Sequence, residues 1–150
     1  MLSLLITIHD QSLRLLDHGK EVVKYTISSA KNGPGSEEGS FKTPLGNFII
    51  SEKHGQDAPL NTIFKGRKPI GQWDPCECCD DDLVTTRILW LDGLDPDNAN
   101  TKSRYIYIHG TNHEDKIGIP HSCGCIRMKN TDIVELFDTV TENTPVRIEA

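Results

Sequence analysis

Short runs in which apolar and polar residues alternate predict a chain built mainly of β-strands. Polar turns at residues 9–11 and 18–20 separate the first three runs, as expected for a meander of neighbouring strands. Alternation places successive side chains on opposite faces of a strand, so each run offers one face to a core. The predicted strands cover residues 2–8, 12–16, 21–28, 41–51, 87–91, 104–109 and 146–149.

One segment has helical periodicity instead. In residues 130–139, Ile133, Leu136 and Phe137 fall on one side of a helix, and an Asn or Thr at its start is a suitable N-cap. Residues 52–82 are rich in Gly, Pro and Asp and show no period, so we expect a long irregular excursion, of the kind that often serves as a substrate lid. The whole chain, residues 1–150, is predicted to form one mostly β domain with one short helix.

Charge and composition exclude some classes of protein. A net charge of −6 without a basic patch argues against nucleic-acid binding, and no apolar run approaches the length of a membrane span. The apolar start lacks the basic region and cleavage site of a secretory signal, and five cysteines, an odd number, fit a reducing compartment. We therefore expect a cytoplasmic protein, or a periplasmic one if a native start lies upstream.

A histidine and a cysteine stand out in the segment 105–128. His109 ends a predicted strand, and Cys125 follows after a loop that contains Gly118 and Pro120. A thiolate attacks acyl carbons well near neutral pH, and a neighbouring imidazole favours it by accepting the thiol proton. The pair predicts nucleophilic catalysis, although a single Cys and a single His more often reflect core packing or surface chance.

The residues around this pair resemble the signature of the L,D-transpeptidase catalytic domain. In that family a His-Gly pair precedes, at about this interval, a Ser-His-Gly-Cys block, which reads Ser122-Cys123-Gly124-Cys125 here. The segments 42–48 and 146–148 are also similar to the family, so the resemblance covers most of the chain. Cys123 departs from the pattern, because the family usually has histidine there.

The resemblance implies a β-sandwich or partly open barrel with the active site at one end. Cys125 is then the nucleophile and His109 the base, oriented by the backbone carbonyl of Gly110. The N–H groups of Gly124 and Cys125, with that of Cys123, are candidate oxyanion donors. No cofactor and no catalytic metal are implied.

Three further residues are predicted to contact substrate. Thr111 and Ser122 flank the catalytic pair, and the Arg127 guanidinium is suited to a substrate carboxylate, although a structural salt bridge is an equal alternative. His113 and His121 are rival bases in the same loop. Thr43, Pro44 and Gly46 are interpreted mainly as a turn near the cleft.

Other thiols leave alternatives open. Cys123 is close enough in sequence to suggest a disulfide that protects an oxidised Cys125. Cys76, Cys78 and Cys79 lie among acidic residues and suggest zinc, but their spacing is not the usual pair of C-x-x-C motifs, and an acidic lid loop is the simpler interpretation. A zinc-stabilised interaction protein and an inactive cell-wall-peptide binder are the non-enzymatic alternatives.

The family handles peptidoglycan stem peptides, so the resemblance implies attack on the L,D bond before the terminal D-Ala of a stem tetrapeptide. Water as acceptor gives L,D-carboxypeptidase activity, and an amine from a second stem gives a cross-link. The expected location favours the carboxypeptidase, acting in peptidoglycan recycling. Carbapenem-type inhibitors are expected to acylate Cys125.

Overall fold

Ten β-strands and one α-helix form within residues 1–75 and 81–150, which are the residues that the computed structural model describes. The strands are β1 (Leu2–Thr7), β2 (Ser12–Asp17), β3 (Lys20–Ser28), β4 (Gly46–His54), β5 (Thr62–Lys65), β6 (Lys68–Gln72), β7 (Val84–Gly93), β8 (Tyr107–Thr111), β9 (Ile126–Met128) and β10 (Pro145–Glu149). The helix α1 (Asn130–Thr139) follows β9, and two short 3-10 turns cover Pro96–Asn98 and Glu114–Lys116. The mostly β class is confirmed.

The strand pairings close most of the sheet on itself. The order is β4-β10-β1-β2-β3-β9-β8-β7, and β7 pairs back with β4, while β5 and β6 extend from the other part of β7. Two of the neighbouring pairs are parallel, β1 with β10 and β8 with β9. The pairing between β3 and β9 is the shortest in this ring: Ile27 pairs with Met128 and Ser28 with Arg127. Side chains fill the interior of such a small barrel.

Alternation along the strands divides the apolar residues into two clusters. The main core contains Ile108 of β8 together with Ile126 and Met128 of β9, and α1 adds its buried apolar side to it. A smaller cluster on the opposite face of β7 and β8 contains Phe64, Ile88, Trp90 and Tyr107. The second face carries the candidate site. No helix in the described ranges is long and apolar enough to cross a membrane.

The prediction of an irregular excursion over residues 52–82 is wrong for its central part. Thr62–Lys65 and Lys68–Gln72 form an antiparallel hairpin through a two-residue turn at Gly66 and Arg67, both with positive φ. Positive φ at both turn positions matches the twist of the flanking strands. Every residue of β6 is exposed, so the hairpin has no apolar alternation to reveal it.

The helix starts where predicted, but Asn130 does not cap it. The carboxylate of Glu114 accepts a hydrogen bond from the Asn130 N–H at 2.7 Å, so the cap comes from outside the helix. The Asn130 side chain is buried: its Oδ1 accepts from the hydroxyls of Thr85 and Thr86 at 2.6 Å each, and its Nδ2 donates to the Thr111 carbonyl at 2.9 Å. Thr86 has a φ of 72°, which is rare for a β-branched residue. Asn130 thus ties this strained bulge in β7 to the end of β8.

Candidate active site

The register of β8 and β9 brings the predicted nucleophile and base onto one face of the sheet. Ile108 pairs with Ile126 and His109 with Arg127, and the two isoleucines point into the main core. His109 therefore points to the other face, as does Cys125, which comes immediately before Ile126. Continuation of this register makes His109 a diagonal neighbour of Cys125 on that face. The structure thus places the two predicted catalytic residues on the same face of adjacent strands.

The thiol of Cys125 is half-buried and bonded to the backbone of a neighbouring strand. Its Sγ accepts a hydrogen bond from the Tyr107 N–H at 3.3 Å and donates to the Tyr105 carbonyl at 3.4 Å. Tyr105 has a φ of 57°, a left-handed backbone that is uncommon outside glycine. In this arrangement the thiol donates its proton to the Tyr105 carbonyl and not to the His109 imidazole. The Tyr107 N–H is placed to stabilise a thiolate.

His109 is only 2% exposed, and its Nδ1 is hydrogen-bonded to the Gly110 carbonyl, which confirms the predicted orienting contact. A carbonyl can only accept a hydrogen bond, so Nδ1 carries the proton. In the neutral ring Nε2 then has the free lone pair. His109 is therefore held in the tautomer that a general base requires.

Burial keeps both groups neutral at rest. Burial lowers the pKa of His109 below its ordinary value of 6.5, and the hydrogen bond to Gly110 opposes part of that shift. Burial raises the pKa of Cys125 to about 11, an effect that the Tyr107 N–H partly offsets. Both directions disfavour a preformed thiolate–imidazolium pair.

This neutral pair predicts slow alkylation of Cys125 by iodoacetamide near neutral pH. With a pKa of about 11, the thiolate fraction at pH 7 is on the order of one in ten thousand, and the rate should rise about tenfold per pH unit up to that pKa. Peptide mass spectrometry after timed quenching measures the rate, with the exposed thiol of Cys123 as an internal comparison. A rate at Cys125 that is already constant between pH 6 and 9 would contradict a neutral resting pair.

Two predicted glycines are required by close packing. A side chain at Gly110 would overlap Oδ1 of Asn130 and lie 2.6 Å from the Thr85 carbonyl oxygen. Gly124 has a φ of +130°, and a Cβ there would lie 3.3 Å from the Lys42 carbonyl oxygen. Both positions bring backbone close to backbone beside the catalytic pair, so a larger residue would move one of its two members.

Thr43 connects the loop before β4 to the nucleophile loop. The side chain is fully buried, and its hydroxyl accepts from the Ala30 N–H at 3.0 Å and donates to the Gly124 carbonyl at 2.9 Å. The sequence had suggested mainly a turn here. Thr43 instead holds the residue that precedes Cys125, which makes it a positioning residue.

Replacing Thr43 with valine is expected to destabilise the fold by about 2 kcal/mol or more, because two buried backbone groups lose their partner. Thr43→Ser keeps the hydroxyl and loses one methyl group, which costs about 1 kcal/mol. Denaturant unfolding of both variants separates the two effects, and the valine variant should also lose catalytic rate. Equal stability of the two variants would show that the hydroxyl does not hold the loop.

Ser122 and Thr111, predicted to contact substrate, are buried by contacts within the chain. The Ser122 hydroxyl donates to the Cys125 carbonyl at 2.6 Å and accepts from the Gly124 N–H at 3.2 Å. The Thr111 hydroxyl accepts from the His113 N–H at 3.0 Å. These bonds shape the loops on both sides of the pair, and substrate contact by either residue stays a prediction.

The Ser122 bond also bears on the oxyanion donors. It already occupies the Gly124 N–H, which removes that group from the predicted set in the resting structure. The N–H groups of Cys123 and Cys125 stay predicted donors.

The side chain of Arg127 is bonded to other residues of the protein. It is 2% exposed, and its guanidinium forms a 2.7 Å ion pair with Asp82 and donates to Nδ1 of His121 at 2.7 Å. These contacts correspond to the structural salt bridge that was the alternative interpretation, and they leave the role of Arg127 as a substrate-carboxylate receptor without support. Burial and the Arg127 charge lower the pKa of His121.

His113 and His121, the two other candidates for the base, lie near the ion pair between Arg127 and Asp82. The rings of His113 and His121 are 6.0 Å apart, and the His113 ring contacts the Asp81 carbonyl at 3.0 Å. Neither residue lies on the strand that faces Cys125, which favours His109 as the base. Among residues 1–75 and 81–150, no group of three or more His, Cys, Asp or Glu side chains is placed to hold a metal ion. The cluster Cys76, Cys78 and Cys79 lies outside the described residues.

A cavity opens beside Cys123, two residues before Cys125. It has a volume of about 330 Å³ and is lined in part by Phe41, Tyr105, Ile106 and Cys123. Cys123 is exposed, so it is accessible from this side, and its redox role stays a prediction. A second cavity of about 410 Å³ lies across Tyr105, against Trp90 and Lys102. Tyr105, whose carbonyl accepts a hydrogen bond from the Cys125 thiol, therefore lines both open spaces.

The second cavity has an aromatic floor beneath the hairpin turn. Trp90 stacks on Tyr105 at 5.8 Å between ring centroids and meets Tyr107 edge-on at the same distance. Arg67, at the hairpin turn, lies 4.4 Å above the Trp90 ring and donates to the Tyr107 hydroxyl at 3.0 Å. Sequence reasoning missed Arg67 and Asn130; the only signal for Arg67 was the Gly-Arg turn between two short polar runs.

Comparison with known proteins agrees with this geometry. Residues 3–148 match the family model YkuD, the L,D-transpeptidase catalytic domain. The Bacillus licheniformis protein YkuD, named as an L,D-transpeptidase, is 51% identical over 143 residues, which are 95% of this chain and 62% of that protein. The Bacillus subtilis protein YqjB, also named as an L,D-transpeptidase, is 46% identical over 52 residues, 35% of this chain and 30% of the relative.

Solved structures share the fold at low sequence identity. An L,D-transpeptidase from Mycobacterium smegmatis superposes with a TM-score of 0.63 at 16% identity, over 99% of this chain and 58% of that one. L,D-transpeptidase 3 from Mycobacterium tuberculosis gives 0.65 at 14% identity, over 99% and 61%. The chain spans less than two thirds of the length of these relatives. Because the family model matches nearly the whole chain, the protein belongs to the YkuD family of L,D-transpeptidase catalytic domains.

Proposed function

We propose that the protein is a cysteine-dependent acyltransferase that attacks the L,D peptide bond before the terminal D-Ala of peptidoglycan stem tetrapeptides. The observation that carries this proposal is the shared sheet face of Cys125 and His109, with Nδ1 of His109 bonded to the Gly110 carbonyl. That bond leaves Nε2 as the atom that accepts the thiol proton. Family membership supplies the class of substrate.

The reaction follows from these positions. Sγ of Cys125 forms a bond to the scissile carbonyl carbon while its proton passes to Nε2 of His109. The carbon–nitrogen bond then breaks, and the imidazolium returns the proton to the amine of the leaving D-Ala. A thioester remains on Cys125. An acceptor attacks the thioester and regenerates the thiol.

We propose water as the principal acceptor, which makes the protein an L,D-carboxypeptidase that trims recycled fragments in the cytoplasm. Cysteine usage supports this location: the chain has five cysteines, and Cys123 and Cys125 are both free thiols. Exposed thiols persist where the surroundings are reducing. An amine acceptor from a second stem would make the protein a cross-linking transpeptidase through the same thioester.

Product analysis tests the proposal. The protein is incubated with a stem tetrapeptide ending in D-Ala, with and without an excess of an acceptor amine, and products are followed by mass spectrometry. Tripeptide and free D-Ala are the expected products. Cross-linked dimers formed with loss of D-Ala would mean that the protein is a transpeptidase rather than a carboxypeptidase. Measurable peptide binding without turnover would favour an inactive binding module.

We also propose that carbapenems acylate Cys125. Among the structural relatives, one L,D-transpeptidase is described in complex with imipenem and another as an avibactam carbamoyl enzyme. A β-lactam carbonyl offers the thiol the same kind of electrophile as the peptide bond. Intact mass after incubation with imipenem should rise by one inhibitor, and the rise should be absent in Cys125→Ala. An unchanged mass of the wild-type protein counts against the proposal.

A further inference from the structure

The hairpin turn places one cation over the aromatic floor next to the nucleophile. Arg67 donates to the Tyr107 hydroxyl, and the backbone N–H of the same tyrosine donates to Sγ of Cys125. Tyr107 therefore connects the guanidinium to the thiol, with one hydrogen bond at each end. Arg67 also lies over the rings of Trp90 and Tyr105, at 4.4 and 5.6 Å from their centroids.

Most of the hydrogen-bonding capacity of Arg67 is unused. A guanidinium has five N–H donors, and within the described residues Arg67 meets one acceptor, the neutral Tyr107 hydroxyl. The chain's other arginines are bonded to carboxylates or backbone carbonyls: Arg14, Arg87, Arg104, Arg127 and Arg147.

The nearby acid does not neutralise Arg67. Glu52 is paired with Lys102 and His54, at 3.0 Å each. Arg67 is only partly buried, so it can meet a ligand without first breaking an ion pair. The guanidinium lies 4.4 Å from the centre of the Trp90 ring and keeps donors that Tyr107 does not use, and a guanidinium with free donors can receive a carboxylate in bidentate fashion.

The distance along Tyr107 selects among the substrate's carboxylates. The carboxylate of the leaving D-Ala is one Cα beyond the scissile nitrogen, so it stays close to the thiol. A carboxylate at the tip of a long side chain on the third residue, whose carbonyl is attacked, reaches about as far as a tyrosine side chain. A diamino dicarboxylic acid at that position has such a group, whereas lysine ends in an amine.

We propose that Arg67 binds the side-chain carboxylate of the third stem residue and thereby selects substrates with a diamino dicarboxylic acid over those with lysine. This inference rests on the proposed function. The second cavity, against Trp90 and Lys102, then accommodates the side chain of the acyl donor.

The test compares two tetrapeptides that differ only in charge, one with the free side-chain carboxylate of 2,6-diaminopimelate and one with that group as a carboxamide. Wild-type protein should favour the carboxylate in kcat/KM by about 10- to 100-fold, the range for a charge-assisted hydrogen bond, mainly through KM. Arg67→Gln should remove this preference. Lys68→Gln removes an exposed cation from the same hairpin and should keep it.

Three outcomes would overturn the proposal. A uniform loss on both peptides in Arg67→Gln would mean that the arginine only holds the hairpin. Loss of the preference in Lys68→Gln as well would indicate general electrostatic attraction. A third peptide is amidated at the terminal carboxylate. If Arg67→Gln removes the preference for a free terminal carboxylate, and not the preference for a free side-chain carboxylate, then Arg67 binds the terminal group.

Binding measurements keep this inference separate from the reaction itself. Calorimetry with Cys125→Ala should show the same preference for the carboxylate peptide, and the double variant with Arg67→Gln should not. If wild-type protein hydrolyses neither peptide but the binding preference is present, the proposed activity fails while the role of Arg67 stands. Equal binding of both peptides to Cys125→Ala overturns the role of Arg67.

Discussion

Replacing Cys125 with serine is expected to lower kcat/KM for release of D-Ala from a stem tetrapeptide by on the order of 10³-fold or more. A hydroxyl is far less acidic than a thiol, so the same imidazole activates it much less. The change is nearly isosteric, so the contacts with the Tyr107 N–H and the Tyr105 carbonyl can persist and the fold should be unaffected. Release of D-Ala, measured by mass spectrometry, gives the rate.

The matched control for this variant is Cys123→Ser, assayed under reducing conditions. Cys123 is exposed and lies two positions from the nucleophile, so the control removes a thiol from the same loop. It should retain most of the wild-type rate. If Cys123→Ser is the variant that loses activity, the nucleophile has been assigned to the wrong thiol.

Replacing His109 with asparagine is expected to lower kcat/KM by about 10²- to 10⁴-fold, the usual contribution of a general base. The asparagine amide can still donate to the Gly110 carbonyl, so the end of β8 keeps its hydrogen bond. The variant loses only the acceptor nitrogen Nε2, which is the proposed proton acceptor. Steady-state kinetics should therefore show a change in kcat that unfolding measurements do not explain.

The rival histidines supply the controls for this experiment. His121→Gln can keep an acceptor for Arg127, and His113→Gln can keep its contact with the Asp81 carbonyl. Both variants should stay within about tenfold of the wild-type rate, since neither residue lies on β8, the strand that carries His109. A larger loss in either of them than in His109→Asn would reassign the base.

The pH profile should carry the signature of a buried base. Because burial lowers the pKa of His109, the neutral form persists below pH 6.5, and the acid limb of kcat/KM should fall below that value. The free energy of unfolding changes with pH in the same direction. As pH decreases, the unfolded state binds the proton before the folded state does, so the stability associated with neutral His109 is complete above pH 6.5 and is lost as pH falls towards the lowered pKa.

Sequence pattern predicted the longer barrel strands and the single helix because each has a clear period and one buried face, but it missed the three-residue strand β9. It failed for β5 and β6, since a short hairpin with an exposed second strand carries no apolar alternation. It also placed Asn130 at a cap, because the partners of its side chain, Thr85 and Thr86, come from a bulge distant in the chain. Local pattern cannot reveal such contacts.

The shared sheet face of Cys125 and His109 was predictable because their motif is contiguous on each side of one loop. The predicted contact of His109 with the Gly110 carbonyl is local, and the structure confirms it. The role of Arg127 was left open between substrate and ion pair, because its partner Asp82 lies far away in sequence. The same limit hid Arg67, whose place over Trp90 depends on how the hairpin folds back on the sheet.

The most direct test of the account is to trap the acyl-enzyme. Wild-type protein is mixed with excess stem tetrapeptide, quenched in acid within seconds and digested, and the peptide that contains Cys125 is weighed. The expected result is a mass increase equal to the tripeptide acyl group on Cys125, no D-Ala in the adduct, and no increase in Cys125→Ala. Release of D-Ala at the wild-type rate by Cys125→Ala, or an adduct on a different residue, would contradict the central claim that Cys125 is the nucleophile.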